Sequence, residues 1–183
     1  MWIILWVIIV YVFLVFVLSH FVVPHLSWTN EKVPEQIPEN MAVEIDRLKT
    51  LARNKEDYFK LCFDYLGSKY YSDRIDTIYK FSVVFENTEK IWATTGYVPC
   101  TQSNWIMKIF LVKSGFFKNE EVRTHHIFFN FFLHQYEEVF LDGKWVAFEV
   151  GEKQKQNIPI GRHLMFFDNP IFFRKQIERL WKK

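Results

Sequence analysis

Residues 134–149 read His-Gln-Tyr-Glu-Glu-Val-Phe-Leu-Asp-Gly-Lys-Trp-Val-Ala-Phe-Glu, and this stretch decides the fold. Asp142-Gly143 stands between two runs rich in β-branched and aromatic residues, among the strongest short-range signals for a β-hairpin. A two-residue turn there sets Leu141 opposite Lys144, Val139 opposite Val146 and Tyr136 opposite Glu149. Directly opposed residues share a face of the sheet, as do residues two apart on one strand. His134 and Glu149 are therefore diagonal neighbours on one face, about 7–8 Å apart and within reach of long side chains. Val139, Leu141, Val146, Phe148 and Val150 make the other face apolar, as a core requires. An imidazole beside a carboxylate, with apolar packing behind it, is the orienting half of a catalytic triad. The missing member is a nucleophile.

Two cysteines are available, Cys62 and Cys100. Neither sits in a C-x-x-C pair, so they form no disulfide framework and no zinc motif. Cys62 falls in a long helical pattern that opens at Pro38-Glu39-Asn40-Met41 and repeats through Ile45, Leu48, Leu51, Tyr58 and Leu61. Leu66-Gly67 supplies the stop. On the apolar side of such a helix Cys62 reads as a small buried hydrophobe. Cys100 closes the run Gly96-Tyr97-Val98-Pro99-Cys100. It is followed by a helical pattern with Ile106, Ile109, Phe110 and Val112 on one face and Gly115 as its C-terminal stop. Pro99 suits the first helical position, which puts Cys100 in the first turn. Helix N-termini and neighbouring imidazolium groups favour thiolates. Cys100 with His134 as base and Glu149 as its orienting acid makes a site for thiol-based acyl transfer. A structural cysteine and a solvated surface His–Glu pair have the same spacing. Cys100's own N–H is a candidate oxyanion donor, with Tyr97, Trp92 or Gln102 as possible helpers, each of which also suits packing or capping.

These residues resemble the transglutaminase-like superfamily. Its core is a cysteine at a helix N-terminus, then a histidine and an aspartate on adjacent strands. The family pattern around the histidine is matched by His134, Tyr136, Glu138, Val139, Asp142-Gly143, Trp145 and Glu149. Gly115 matches the glycine that ends the family's cysteine helix. The likeness is nearest to small archaeal members, which similarly join a Gly-Tyr-x-Pro-Cys-Thr stretch, a Val-Lys-Ser-Gly helix end and a His-Gln-Tyr strand. It covers residues 92–167. The resemblance implies an α+β, papain-like arrangement with the cysteine helix packed on an antiparallel sheet. The third member departs from the pattern, since Glu149 stands where the superfamily usually has Asp. The imidazole must then sit farther from that strand, or the longer carboxylate must bend.

The 183 residues are half hydrophobic and carry a net charge of +2, which suggests no nucleic-acid-binding surface. Residues 1–18 are uninterrupted apolar sequence, followed by Ser19, His20, a short apolar run to Val23, and Pro24. About 20 apolar residues cross a bilayer as a helix. No Lys or Arg precedes Lys32, and residues 18–20 make a poor cleavage site, against a signal peptide. The expectation is a retained single-pass membrane anchor over 1–23, with His25 and Trp28 near the interface. A buried core helix is the other reading. Both flanks are nearly bare of Lys and Arg, so the side on which the domain lies stays open. Residues 24–39 read as a linker and 40–183 as the transglutaminase-like domain. Residues 68–90 are ambiguous, and 79–85 suit either strand or helix. A strand over 124–132 precedes the hairpin, 151–161 is turn-rich, and Asn169-Pro170 opens a last helix. His125 and His126 face opposite sides of a strand and cannot join one site. His163 has no partner that the sequence names.

Together these observations predict a membrane-anchored cysteine hydrolase or acyltransferase with Cys100, His134 and Glu149 as its triad. It needs no cofactor or metal and takes peptide or protein amides as substrates. Hydrolysis, glutamine deamidation and cross-linking all stay open, with hydrolysis preferred. The alternative is an interaction module that keeps the fold without the activity.

Overall fold

The computed structural model describes residues 2–26, 30–129, 132–156 and 158–163. The chain begins with α1 (Trp2–Val12), a π-helical segment (Phe13–Leu18) and α2 (Ser19–Val22). Then come α3 (Glu39–Leu51), α4 (Lys55–Lys69), β1 (Tyr70–Tyr71), α5 (Arg74–Tyr79), a 3-10 segment (Phe81–Phe85) and α6 (Thr88–Ala93). The cysteine-bearing part follows as β2 (Gly96–Tyr97), α7 (Cys100–Lys113), a 3-10 turn (Asn119–Glu121), β3 (Val122–Phe129), β4 (Phe132–Leu141), β5 (Lys144–Phe148) and α8 (Glu152–Gln156). The fold is α+β.

β3, β4 and β5 form an antiparallel sheet in that order. Leu141 pairs with Lys144 and Val139 with Val146, as expected, but the ladder ends at Glu137 with Phe148, so the expected pair of Tyr136 with Glu149 is not part of it. Asp142 and Gly143 both have positive φ, 47° and 79°. That is the mirror-image turn whose twist matches the flanking strands. β1 and β2 pair in parallel, Tyr70 with Gly96 and Tyr71 with Tyr97.

Helix α7 lies at the centre, with every residue from Thr101 to Leu111 buried. Its apolar side chains join a core that includes Phe59, Phe148, Val139 and Met41. Phe59 meets Phe148 edge to face at 5.3 Å, which ties α4 to β5. A helix buried all round must satisfy its polar residues internally. Lys108 does so through the Asn30 side chain and the Glu31 carbonyl.

Several expectations change. The long helical pattern from residue 41 is two helices. Asn54 breaks it, because its side chain accepts a hydrogen bond from the Asp57 N–H at 2.9 Å and caps α4. α4 also runs through Gly67 to Lys69. Residues 79–85 are the end of α5 and a 3-10 segment, not a strand. The strand expected over 124–132 is β3 over Val122–Phe129, and β4 starts at Phe132, ahead of His134. The described part of the expected linker is packed down. Val33 and Ile37 lie against the core, and the Glu31 and Glu35 carbonyls accept from Lys108 and Lys113 of α7. Trp28 and the last helix from Asn169 lie outside the described residues.

The membrane anchor is overturned. Among the described residues no helix is long and apolar enough to cross a membrane, so a single-pass membrane localisation is not supported. α1 has 11 residues. At 1.5 Å per residue it rises about 16 Å, against about 30 Å of hydrocarbon. The apolar run then turns π-helical at Phe13, and α2 has only four residues. Part of the run instead walls a cavity, with Leu14, Leu18 and Val22 facing the N-terminal end of α7.

Candidate active site

Cys100 opens α7 directly after Pro99, whose extended backbone (φ −57°, ψ 152°) places it just outside the helix. The Pro99 carbonyl accepts the Gln102 and Ser103 N–H groups, both at 3.0 Å. The Cys100 and Thr101 N–H groups precede the first intrahelical bond, as at any helix start.

His134 lies on β4 and Glu149 directly follows β5. Their side chains meet, His134 Nε2 to Glu149 Oε2 at 3.0 Å, with both buried. The Cys100 thiol interacts with the same ring and lines the same cavity as His134. Burial alone pushes the His134 pKa down, but the Glu149 carboxylate and Cys100 outweigh it and hold the imidazole well above its ordinary value. The structure brings the three residues expected from the sequence together, His134 against Glu149 and Cys100 beside His134 on one cavity wall. The longer Glu149 reaches the ring without difficulty.

What holds them there was not visible in the sequence. Asn104, one turn along α7 from Cys100, donates to the Gln135 carbonyl at 3.1 Å and accepts from the Val150 N–H at 3.4 Å. One buried amide thus clamps the backbone next to His134 and the backbone next to Glu149. On the other flank Ser72 N–H donates to the Gly151 carbonyl at 2.8 Å, and Ser72 Oγ donates to the Val98 carbonyl at 2.8 Å. Val98 N–H donates to the Tyr71 carbonyl. The β1–β2 pair therefore links the approach to Cys100 with the segment after Glu149. A glycine is required at 151, because a methyl there would overlap the Ser72 hydroxyl and lie 2.8 Å from its Cβ.

The proposed side-chain oxyanion donors are engaged elsewhere. Gln102 Nε2 donates to the Val84 carbonyl at 2.7 Å, and Trp92 Nε1 to Asn40 Oδ1 at 2.9 Å. Tyr97 OH donates to Thr77 Oγ1 at 2.8 Å. The backbone N–H of Cys100 remains from the expected set. Thr101, not singled out in the sequence, has a hydroxyl without a hydrogen-bond partner among the described residues and lines the same cavity.

Cys62 is fully buried in the core, and burial pushes its thiol up to about 12. Cys100 is only half-buried. The remaining histidines lie elsewhere. His125 Nε2 is 2.9 Å from Glu138 Oε2, and His163 stacks on Tyr136 with ring centroids 3.9 Å apart. Among the described residues no group of three His, Cys, Asp or Glu side chains is placed to hold a metal ion.

In comparison with known proteins, no family model, no curated protein and no solved structure matches this chain.

Proposed function

We propose that this chain is a cysteine-dependent hydrolase or acyltransferase with a transglutaminase- and papain-like arrangement, acting on amide bonds of peptides or proteins. The observation that carries the proposal is the buried His134–Glu149 contact at 3.0 Å, with Cys100 interacting with the same ring and sharing its cavity wall. Cys100 attacks the carbonyl carbon as the thiolate, and the imidazolium of His134 gives its proton to the leaving amine. Glu149 fixes the ring orientation and stabilises its positive charge. The N–H groups of Cys100 and Thr101 face the developing oxyanion, where fixed donors contribute most. Water then attacks the thioester with His134 as base. Hydrolysis, deamidation and cross-linking share every step up to that thioester and differ in the nucleophile that resolves it.

The test is site-resolved alkylation by iodoacetamide at neutral pH. Cys100 is expected to react far faster than Cys62, and His134→Ala to slow Cys100 by at least tenfold. Equal, slow labelling of both thiols, unaffected by His134→Ala, would leave an interaction module with the same fold.

A further inference from the structure

A cavity of about 450 Å³ ends at Cys100 and His134. Its wall is apolar over most of its extent. Leu14, Leu18 and Val22 from the N-terminal helical stretch line it, as do Phe81, Val84 and Phe85. Val84 is buried, while the remaining five are each more than two-fifths exposed. Large apolar side chains from two separate elements thus line the space that the Cys100 thiol also borders. Besides Cys100 and His134, the polar groups on the wall are Ser19, Ser72, Asp73, Thr77, Thr101 and Glu152, a minority of its surface.

Resting on the activity proposed above, we infer that the acyl group Cys100 takes up is a long hydrocarbon chain, carried as the N-acyl group of a peptide or protein amide. A water occupies roughly 30 Å³ in the liquid, and a methylene takes about as much room. The cavity therefore holds a chain on the order of ten or more carbons. A peptide backbone entering the same space would leave its own N–H and C=O groups facing apolar wall, each at a cost. A hydrocarbon has none to satisfy. The reaction balances without a further reagent. Sulfur bonds to the acyl carbon, and the C–N bond breaks. The amine leaves with the His134 proton, and water releases the fatty acid and restores the thiol.

The test is acylation of Cys100 in the intact chain, followed by whole-protein mass, with p-nitrophenyl esters from acetyl to decanoyl kept below micelle-forming concentrations. N-acetylphenylalanine p-nitrophenyl ester serves as the peptide-like probe. Each buried methylene is worth about a fourfold factor. Decanoyl is therefore expected to outpace acetyl by on the order of 10²-fold or more, and to outpace the phenylalanine ester. Leu18→Trp, which fills the cavity, and Leu14→Asp, which charges it, are both at half-exposed positions. Each is expected to lower the decanoyl-to-acetyl ratio at least tenfold, a ratio that partial loss of folded protein leaves alone. Equal acetyl and decanoyl rates, a faster phenylalanine ester, or a chain-length preference untouched by both variants would each overturn the hydrocarbon-chain inference while leaving the thiol site standing. If no ester acylates Cys100 and iodoacetamide labels it slowly, the proposed activity fails and this inference with it.

Discussion

Glu149→Gln keeps the volume of a side chain that is 2% exposed and removes its charge. In the native protein the carboxylate accepts from His134 Nε2 at 3.0 Å. A hydrogen bond to a charged group contributes about 1.5–3 kcal/mol, against about 1 kcal/mol between neutral groups. Losing that difference, about 0.5–2 kcal/mol, slows turnover by roughly 2–30-fold. The amide also offers an N–H to Nε2, which favours the tautomer with its proton on Nδ1. The same acid-to-amide change in a serine-protease triad costs about 10⁴ in turnover. A thiolate needs less help from the base than a hydroxyl does, so the expected loss is on the order of 10²–10³. Turnover of a peptide amide measured across pH adds a second readout. The leaving amine needs the protonated imidazole, so turnover falls on the alkaline side as His134 loses its proton. Burial lowers the His134 pKa, but Glu149 and Cys100 hold it well above its ordinary value. The wild-type limb therefore lies well above the usual histidine range, near pH 6.5. In Glu149→Gln the limb moves to lower pH, because the raising carboxylate is gone and burial remains. An unchanged rate with an unchanged alkaline limb would refute the role of Glu149 and leave a Cys100–His134 dyad.

Three further outcomes are expected. Asn104→Leu leaves the Gln135 carbonyl and the Val150 N–H without their shared partner, at about 1–3 kcal/mol for each buried group. Denaturant unfolding should fall accordingly, and the turnover of folded protein should fall with it. Unchanged turnover would remove Asn104 as a positioning residue. Gly151→Ala forces Ser72 aside and should lower stability by about 1–3 kcal/mol, read from the thermal midpoint. Burial pushes the Glu137 carboxyl up, against the opposing pull of Lys108 and Thr124. The folded state thus binds the proton more tightly than the unfolded chain. This group's contribution is present below the ordinary carboxylate range and is lost as pH rises through the elevated folded pKa. Glu137→Gln should flatten that decline in denaturant midpoint, and an unaltered decline would count against it.

The hairpin was legible because its determinants are local. Asp142-Gly143 demands positive φ at both turn positions, and once the turn is fixed the period of two places His134 and Glu149 on one face. Cys100 was legible through Pro99, which pins a helix start. The N-terminal run was misread because an apolar run has the same composition whether it meets lipid or walls a cavity, and no residue marks where the helix turns π-helical. The break before α4 had its sign in Asn54, but the apolar repeat on either side runs through it in nearly the same phase. Asn104 and Lys108 stayed hidden because a buried polar side chain is explained only by its partners. Those partners, Gln135, Val150, Asn30 and Glu31, are distant in sequence.

The central claim is that Cys100 forms a thioester with the acyl half of an amide while His134 carries the proton. Rapid acid quench during turnover of a peptide amide, followed by whole-protein mass and peptide mapping, observes that species directly. The expected result is an acyl adduct on Cys100 that hydroxylamine removes, that is absent in Cys100→Ser, and that is formed at least 10²-fold more slowly in His134→Ala. Turnover that survives Cys100→Ser, or an adduct that maps to any other residue, would contradict it.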